Sequence, residues 1–437
     1  MAVHLIRDIF AYADRFQGSV FVIQIDYDVI AHPSFPVLLQ DLVLLHQIGI
    51  RVVLVPGAKR HIDEVLDRYG ISCPTVDGVR VSSPEAIPFI KMAAFDAANR
   101  VMTLLSRHHA TGIIGNWVRS RGLGVIDGVD YEESGKVDRV SIDIITAVLD
   151  DNLIPIFPCI GWSATGKPYN ISSLELASRL AIDLKAAKLF FLNSVNGLTS
   201  DDFEIPVGVH LDDTGRISRL HPDQVDDLLL HNPNCNQYFR SLLSYSALAC
   251  TGGVERAHIV DARRDGVILE EVFTNQGVGT MVHRAPFESL RPMSDEDIPA
   301  VIRLMRPAVE RGVLVERSVE DLQQAQSDYV VYAADGQVVG CGALHGWNDE
   351  CAEIAALTAD GDKAYKGVGE RILQYLIEQA RQQGFAWVFV LTTQTADWFA
   401  RYGFTHASVE QLPEQRRATY NQQRRSRILQ LVLTKEK

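Results

Sequence analysis

Ala364-Tyr365-Lys366-Gly367-Val368-Gly369, with the segment it opens down to Trp387-Val388-Phe389-Val390-Leu391, decides how the C-terminal third of this chain folds. Val368, Ile372, Leu373, Leu376, Ile377 and Ala380 recur at helical spacing and predict one apolar helix face. Gly384 ends that pattern, and the apolar run after it predicts a strand. Two glycines at a helix start let the main chain approach an anion, and the unpaired N–H groups and dipole of the first turn favour negative charge. A phosphate-bearing ligand is therefore expected at residues 364–369. A Gly-x-Gly turn alone is a weak signal. Its neighbours carry the argument further.

Downstream, Leu391-Thr392-Thr393-Gln394-Thr395-Ala396-Asp397-Trp398-Phe399 followed by Gly403-Phe404 reads as strand end, polar loop, short helix and glycine cap. Upstream, Ile298, Val301, Ile302, Leu304 and Met305 predict a helix, and the runs from Tyr329 to Ala333 and from Gln337 to Leu344, joined by Asp335-Gly336, predict a hairpin. Phosphate loop, helix, strand and second helix in this order resemble the acetyl-CoA-binding core of the GNAT acetyltransferases. Gly312-Val313-Leu314-Val315-Glu316-Arg317-Ser318, Leu391-Thr392-Thr393 with Trp398-Phe399, and Leu412-Pro413-Glu414-Gln415 with Tyr420-Asn421 and Arg424-Arg425-Ser426 narrow the likeness. Together they resemble the C-terminal half of the bacterial N-acetylglutamate synthases.

At 437 residues the chain exceeds one ordinary domain. Its 47% hydrophobic content and near-zero mean hydropathy describe a globular protein. No apolar run approaches the roughly 20 residues of a membrane span. The start, Met1-Ala2-Val3-His4-Leu5-Ile6-Arg7-Asp8, lacks a signal-peptide layout, so a cytosolic location is expected. A balance of 42 basic against 55 acidic residues, −13 in all, argues against nucleic-acid binding. Cysteines 73, 159, 235, 250, 341 and 351 form no Cys-x-x-Cys pair, which predicts reduced, mostly buried thiols. His108-His109 is expected on a helix surface, without the third ligand a metal needs.

Residues 1–285 alternate strand-like and helix-like runs, predicting a parallel α/β sheet covered on both faces. Val20-Phe21-Val22-Ile23-Gln24-Ile25 reads as the first strand, a Leu-rich helix over Leu38 to Ile48 follows, and Arg51-Val52-Val53-Leu54-Val55 ends in Pro56-Gly57-Ala58. Leu153 to Ile160 and Leu189-Phe190-Phe191-Leu192 predict two more strands. The succession resembles the amino-acid-kinase fold. The expected fold class is thus α/β: an N-terminal amino-acid-kinase-like parallel-sheet sandwich over 1–285 and a C-terminal GNAT α+β domain over 286–437, joined near Arg284 to Pro292.

The kinase resemblance also shows what is missing. Kinases of that fold carry a lysine on the first strand that runs into paired glycines, and an aspartate near residue 170. This chain has Gln24-Ile25-Asp26-Tyr27-Asp28 and, in the second place, Leu174. Phosphoryl transfer depends on positive positioning groups, so no kinase activity is expected. A retained fold without its reaction suggests regulation. The resemblance implies L-arginine as effector, held by Tyr12, His258, Glu271, Gly277 and Gly279, with Glu271 gripping the guanidinium bidentately. On the residues alone, Glu271 and His258 read equally as caps of local structure.

For the transferase half, the resemblance implies acetyl-CoA as cosubstrate and no metal. Lys366, Gly367, Val368 and Gly369 would take its diphosphate, and Ala355, Ala356 and Leu357 on a splayed strand would offer N–H groups to the acetyl carbonyl. Glu353 matches the family's proton acceptor, with an outward-facing strand carboxylate as the bland alternative. Gln394 and Thr395 would meet the leaving sulfur. Leu314, Arg317, Lys363, Arg424 and Ser426 would hold L-glutamate; the bland reading of the Arg416 to Arg427 cluster is a solvated helix. Three positions depart from the family pattern: Ala364 for Arg or Gln, Glu316 for Arg, and Ala356 for a cysteine of some relatives. The implied function is acetylation of the α-amino group of L-glutamate, the first step of arginine biosynthesis, with arginine feedback and homo-oligomers assembled through the kinase-like domains. The alternatives are a non-catalytic arginine-sensing paralogue and, with Gln24 and Leu174 against it, a true amino-acid kinase.

Overall fold

The structure is a computed structural model that describes residues 16–195, 197–273, 278–284, 288–334, 337–360 and 367–433. The chain divides into two compact units, residues 1–285 and 286–437.

Nine strands form the main sheet of the first unit. From one edge they run His210–Leu211, Ile217–Leu220, Thr280–His283, Arg256–Asp261, Lys188–Asn193, Val20–Ile25, Arg51–Pro56, Ile154–Ile156 and Gly112–Ile114. The five successive pairings from Arg256–Asp261 across to the edge strand Gly112–Ile114 are parallel. Thr280–His283 is antiparallel to Arg256–Asp261. Side chains alternate faces along a strand, so a strand covered on both sides must be apolar throughout. Phe21, Ile23, Val52, Leu54, Phe190 and Leu192 fill the core beneath the helices Phe35–Gln47 and Ile87–Arg107. Val22, Val53, Val55, Leu189 and Phe191 fill the one beneath Ser173–Asp183 and Gln237–Thr251.

Two sequence expectations change here. The predicted strand from Leu153 to Ile160 is two: Ile154–Ile156 lies in the main sheet, whereas Ile160–Trp162 joins a separate four-stranded sheet. Pro158 between them has no N–H to give to a ladder. His108 and His109 lie past the end of the Ile87–Arg107 helix rather than on it, with His109 at φ 57° closing the turn.

The second unit is a seven-stranded sheet in the order Glu288–Pro292, Tyr329–Ala334, Gln337–Gly346, Cys351–Ala359, Trp387–Thr392, Arg427–Val432, Thr405–Ala407. All neighbours are antiparallel except Cys351–Ala359 with Trp387–Thr392. The Val368–Gln382 helix covers one face, burying Val368, Ile372, Leu373, Leu376, Ile377 and Ala380 against Val330, Tyr332, Ile354 and Val388. Ile298–Glu310 covers the other, against Tyr329, Val331, Cys341 and Ala343. A Cβ on Gly340 would lie 2.6 Å from Val368 Cγ1, and one on Gly342 2.9 Å from Ile372 Cγ2. Only glycines let the helix lie this close to the strand.

Two irregularities in this sheet shape the site. Cys341 faces Thr358 and Ala343 faces Ala355, so Ala356 and Leu357 together oppose Gly342 alone. This is a β-bulge, and Ala356 takes φ 52° to make it. On its other edge, Cys351–Ala359 pairs with Trp387–Thr392 only from Cys351 to Glu353. Beyond Glu353 the two parallel strands part, and the main chain of residues 355–357 faces the fork.

Candidate active site

A cleft of about 630 Å³ opens in the second unit, lined by Arg317, Tyr329, Glu353, Arg416, Arg424 and Ser426 among others. Glu353 stands at the last paired position before the fork, opposite Phe389. It is buried, at 6% exposure, so the bland reading of an outward-facing carboxylate does not hold. It is not an open carboxylate either. Arg416 donates to it through Nε at 2.6 Å and Nη2 at 3.1 Å, and Trp347 Nε1 donates at 3.1 Å. The Arg416 guanidinium lies over the Trp347 ring, 5.5 Å from its centre.

The other charges of the cleft sort into spent and unspent. Asp328 is paired with His345 Nδ1 at 2.7 Å. Asp321 accepts from Ser318 N at 2.9 Å in a helix-capping box, which with a smaller contribution from the Arg317 charge holds its carboxyl below the ordinary range. Tyr329 is buried, which pushes its phenol up; the Arg317 guanidinium bonded to it opposes that shift. Arg424 Nη2 donates to the carbonyls of Val313 at 2.5 Å and Gly312 at 3.3 Å, tying the 312–318 loop to the cleft wall. Among the described residues, neither Arg317 nor Arg424 is ion-paired with a carboxylate. Two guanidinium groups thus remain to receive an anionic ligand. Glu316 is exposed and does not line the cleft, so its charge does not enter it.

Of the residues read from sequence, the cleft brings together Glu353, Arg317, Arg424 and Ser426, whose carbonyl accepts from Tyr420 Oη at 2.8 Å. Leu314 instead packs against the core behind the cleft wall. Lys363, Lys366 and Ala364 lie outside the described residues, as do Tyr12 and Gly277. Gly367 caps the Val368–Gln382 helix at φ 87°, a left-handed conformation that glycine adopts freely, with open space where a Cβ would stand. Val368 is committed to the core, leaving its main chain and that of Gly369 for a ligand. Gln394 and Thr395 are exposed on the loop after Trp387–Thr392 and do not line the cleft. The Thr395 hydroxyl is engaged with Thr392 Oγ1 at 2.7 Å, so it would have to exchange that bond to reach a sulfur. The neighbouring Thr393 Oγ1 is buried and unpartnered.

Sequence reasoning missed Trp347, Tyr329 and His345, which reach the cleft through the register of three successive antiparallel strands, Tyr329–Ala334, Gln337–Gly346 and Cys351–Ala359. It placed Arg416 in an undifferentiated basic cluster. The short helix Glu414–Ala418 that carries Arg416 follows Leu412, buried in a small core with Cys351, Phe389 and Ile428.

In the first unit, His258 Nδ1 and Glu271 Oε1 are 2.7 Å apart, and Glu271 Oε2 accepts from Val278 N at 2.5 Å and Gly279 N at 3.2 Å. Burial alone would raise the Glu271 carboxyl. The bond and charge of His258 and the two main-chain donors outweigh it and hold the carboxyl below its usual range. Burial pushes the His258 imidazole down, stacked on Phe190 with centres 4.8 Å apart. Both oxygens of Glu271 are therefore occupied within the chain. The carboxylate expected to grip a guanidinium is thus held in an internal carboxylate–imidazole pair, with three of its roughly four lone-pair positions filled and one remaining on Oε1.

Where a kinase would hold phosphates, Gln24 Nε2 donates to Asp26 Oδ1 at 2.8 Å and to Ser173 Oγ at 3.3 Å. Tyr238 Oη donates to Asp26 Oδ2. Burial raises the Asp26 carboxyl, with the Tyr238 and Gln24 bonds opposing. Leu174 is buried in the core. Among the described residues, no group of three or more His, Cys, Asp or Glu could hold a metal, and no helix is long and apolar enough to cross a membrane.

Two family models match the chain: the amino acid kinase family over residues 22–260 and the acetyltransferase (GNAT) family over residues 298–404. With the splayed sheet and the glycine-started helix, they define its class as a GNAT acyltransferase joined to an amino-acid-kinase fold. The amino-acid acetyltransferase of Pasteurella multocida is 34% identical, over 100% of this chain and 98% of its own. That of Ectopseudomonas mendocina is 35% identical over 97% of each. The N-acetylglutamate synthase of Neisseria gonorrhoeae, solved in complex with coenzyme A and L-arginine, superposes with a TM-score of 0.85 at 30% identity over 99% of both chains. A second structure of that enzyme, with coenzyme A and N-acetyl-glutamate, gives 0.61 at 31%. This chain belongs to the amino-acid acetyltransferase family.

Proposed function

We propose that the chain transfers the acetyl group of acetyl-CoA to the α-amino group of L-glutamate, giving N-acetylglutamate and CoA, the opening step of arginine biosynthesis. The observation that carries this reading is the cleft's charge inventory: two guanidiniums without carboxylate partners, Arg317 and Arg424, stand beside a buried carboxylate at the fork of a splayed sheet. An amino acid with two carboxylates meets that inventory. The gonococcal enzyme's complexes with coenzyme A, N-acetyl-glutamate and L-arginine support the same choice of ligands.

Acetyl-CoA supplies the activated acyl group. The first-turn amides after Gly367 suit its diphosphate, and the main chain at Ala355, Ala356 and Leu357, unpaired on the fork side, offers donors to the thioester oxygen. Glu353 takes a proton from the acceptor's ammonium, and the free amine that results attacks the thioester. Arg317 and Arg424 orient the glutamate carboxylates, and with Ser426 they select the acceptor. The first unit, lacking the kinase lysine and aspartate, carries no phosphotransfer and serves L-arginine as an effector domain near the His258–Glu271 pair.

The test is release of free thiol from acetyl-CoA by the purified chain, required to depend on L-glutamate and repeated with L-arginine and, separately, with ATP plus N-acetylglutamate. Glutamate-dependent thiol release that arginine changes supports the proposal. Arginine binding without turnover, or ADP formation, would overturn it.

A further inference from the structure

We propose that Arg416 is a positioning residue for this reaction, which with Trp347 fixes the Glu353 carboxylate so that Oε1 alone receives the proton; this rests on the reading of Glu353 as proton acceptor. A carboxylate offers about four lone-pair positions. Three are filled: Oε2 accepts from Arg416 Nε and Trp347 Nε1, and Oε1 accepts from Arg416 Nη2. One position is left, on Oε1. The ammonium N–H breaks toward it and the proton rests on Oε1; the electron pair left on nitrogen forms the C–N bond as the C–S bond breaks, and the departing CoA thiolate takes the second N–H proton.

Arg416 is suited to this work rather than to gripping the acceptor. Its side chain is 19% exposed and that of Glu353 8%, so the pair is largely withdrawn from water and its orientation is not averaged by solvent. Its remaining N–H groups turn toward Thr419, with Nη1 3.3 Å from Oγ1. Its flat face is taken by the Trp347 ring. Its charge is balanced by Glu353, which leaves the acceptor's carboxylates to Arg317 and Arg424. Arg416 and Arg424 leave the same segment anchored by Leu412 and by the bond from Tyr420 Oη to Ser426 O, yet hold different partners: one the reacting carboxylate, the other the 312–313 main chain. A bidentate guanidinium is needed for this, since an ammonium gives one directional contact where two set the carboxylate plane.

The experiment uses the full chain with Arg416→Gln, Arg416→Lys, Arg416→Ala, Glu353→Gln and the Glu353→Gln/Arg416→Gln double variant, reading thiol release. Arg416→Gln is expected to lower kcat on the order of 100-fold, with KM for L-glutamate held within about threefold. Arg416→Lys should fall between it and the parent. Guanidinium ion added to Arg416→Ala below denaturing concentrations should restore about tenfold of the loss. The double variant should be no slower than Glu353→Gln within about threefold, because both act through one carboxylate. Unchanged kcat in Arg416→Gln while Glu353→Gln is slow would overturn this inference alone. A rise confined to the glutamate KM would overturn it by assigning Arg416 to the acceptor. Full turnover in Glu353→Gln would instead remove the reading beneath it. Should Arg416→Gln fail to fold, the lysine variant decides: parental kcat with Arg416→Lys refutes the need for a guanidinium.

Discussion

Replacing Arg424 by Gln removes one of the two unspent cations of the cleft while keeping a polar side chain there. A guanidinium and a carboxylate about 4 Å apart attract by about 4 kcal/mol at an effective dielectric of about 20. Arg424 is half-buried, so screening by water and salt leaves roughly half of this, about 2 kcal/mol. That corresponds to about a 30-fold rise in KM for L-glutamate. The lost bonds to Gly312 O and Val313 O loosen the 312–318 loop, at a cost of about 1 kcal/mol in stability. Arg424→Lys keeps the charge but not the fork, and about a fivefold rise is expected. Steady-state thiol release with glutamate and acetyl-CoA varied in turn reads both constants. The acetyl-CoA KM should not move. If the glutamate KM stays at the parental value while that for acetyl-CoA rises, Arg424 faces the coenzyme and the charge inventory has been assigned to the wrong ligand.

Four further outcomes come from the packing and the buried networks. Gly367→Val forces a β-branched residue to φ 87°, and should cost about 2 kcal/mol of local stability while raising the acetyl-CoA KM, measured by hydrogen exchange in the Val368–Gln382 helix and by kinetics. Gly340→Val drives methyls against Val368 and Ile372 and should destabilise the second unit by about 1–3 kcal/mol in urea, a null effect showing that the helix yields freely. His258 and Glu271 both have folded-state values below their unfolded ones, so the unfolded chain binds more protons as pH falls. The stability of the first unit should therefore be full above about pH 6.5 and decline below it, with the Glu271 share lost below about pH 4.3. Glu271→Gln should lower that stability by about 2 kcal/mol at neutral pH, read by denaturation or by exchange in Arg256–Asp261.

Much of the fold was legible because burial writes itself into local periodicity. The six apolar positions from Val368 to Ala380 face the sheet as their spacing required. The continuous apolar runs at Val20–Ile25 and Arg51–Pro56 are strands covered on both faces. The site was less legible, because hydrogen-bond partners carry no local signature. Nothing near Glu353 in sequence announces a guanidinium from residue 416, and nothing near Glu271 announces that His258 and two main-chain amides already engage it. Pro158 was readable as a breaker, yet its effect, sending Ile160–Trp162 to another sheet, depends on strands distant in the chain.

By itself the sequence determined the order of strands and helices, the glycines that allow a helix to lie on a strand, and the residue types available for acyl transfer, since these depend on side-chain spacing and backbone freedom within a few residues. Only the tertiary structure decided which charges are spent on one another and which remain for a ligand. Pairing of charges is a matter of through-space distance in a medium of low dielectric, and the Arg416–Glu353 contact spans 63 positions of chain.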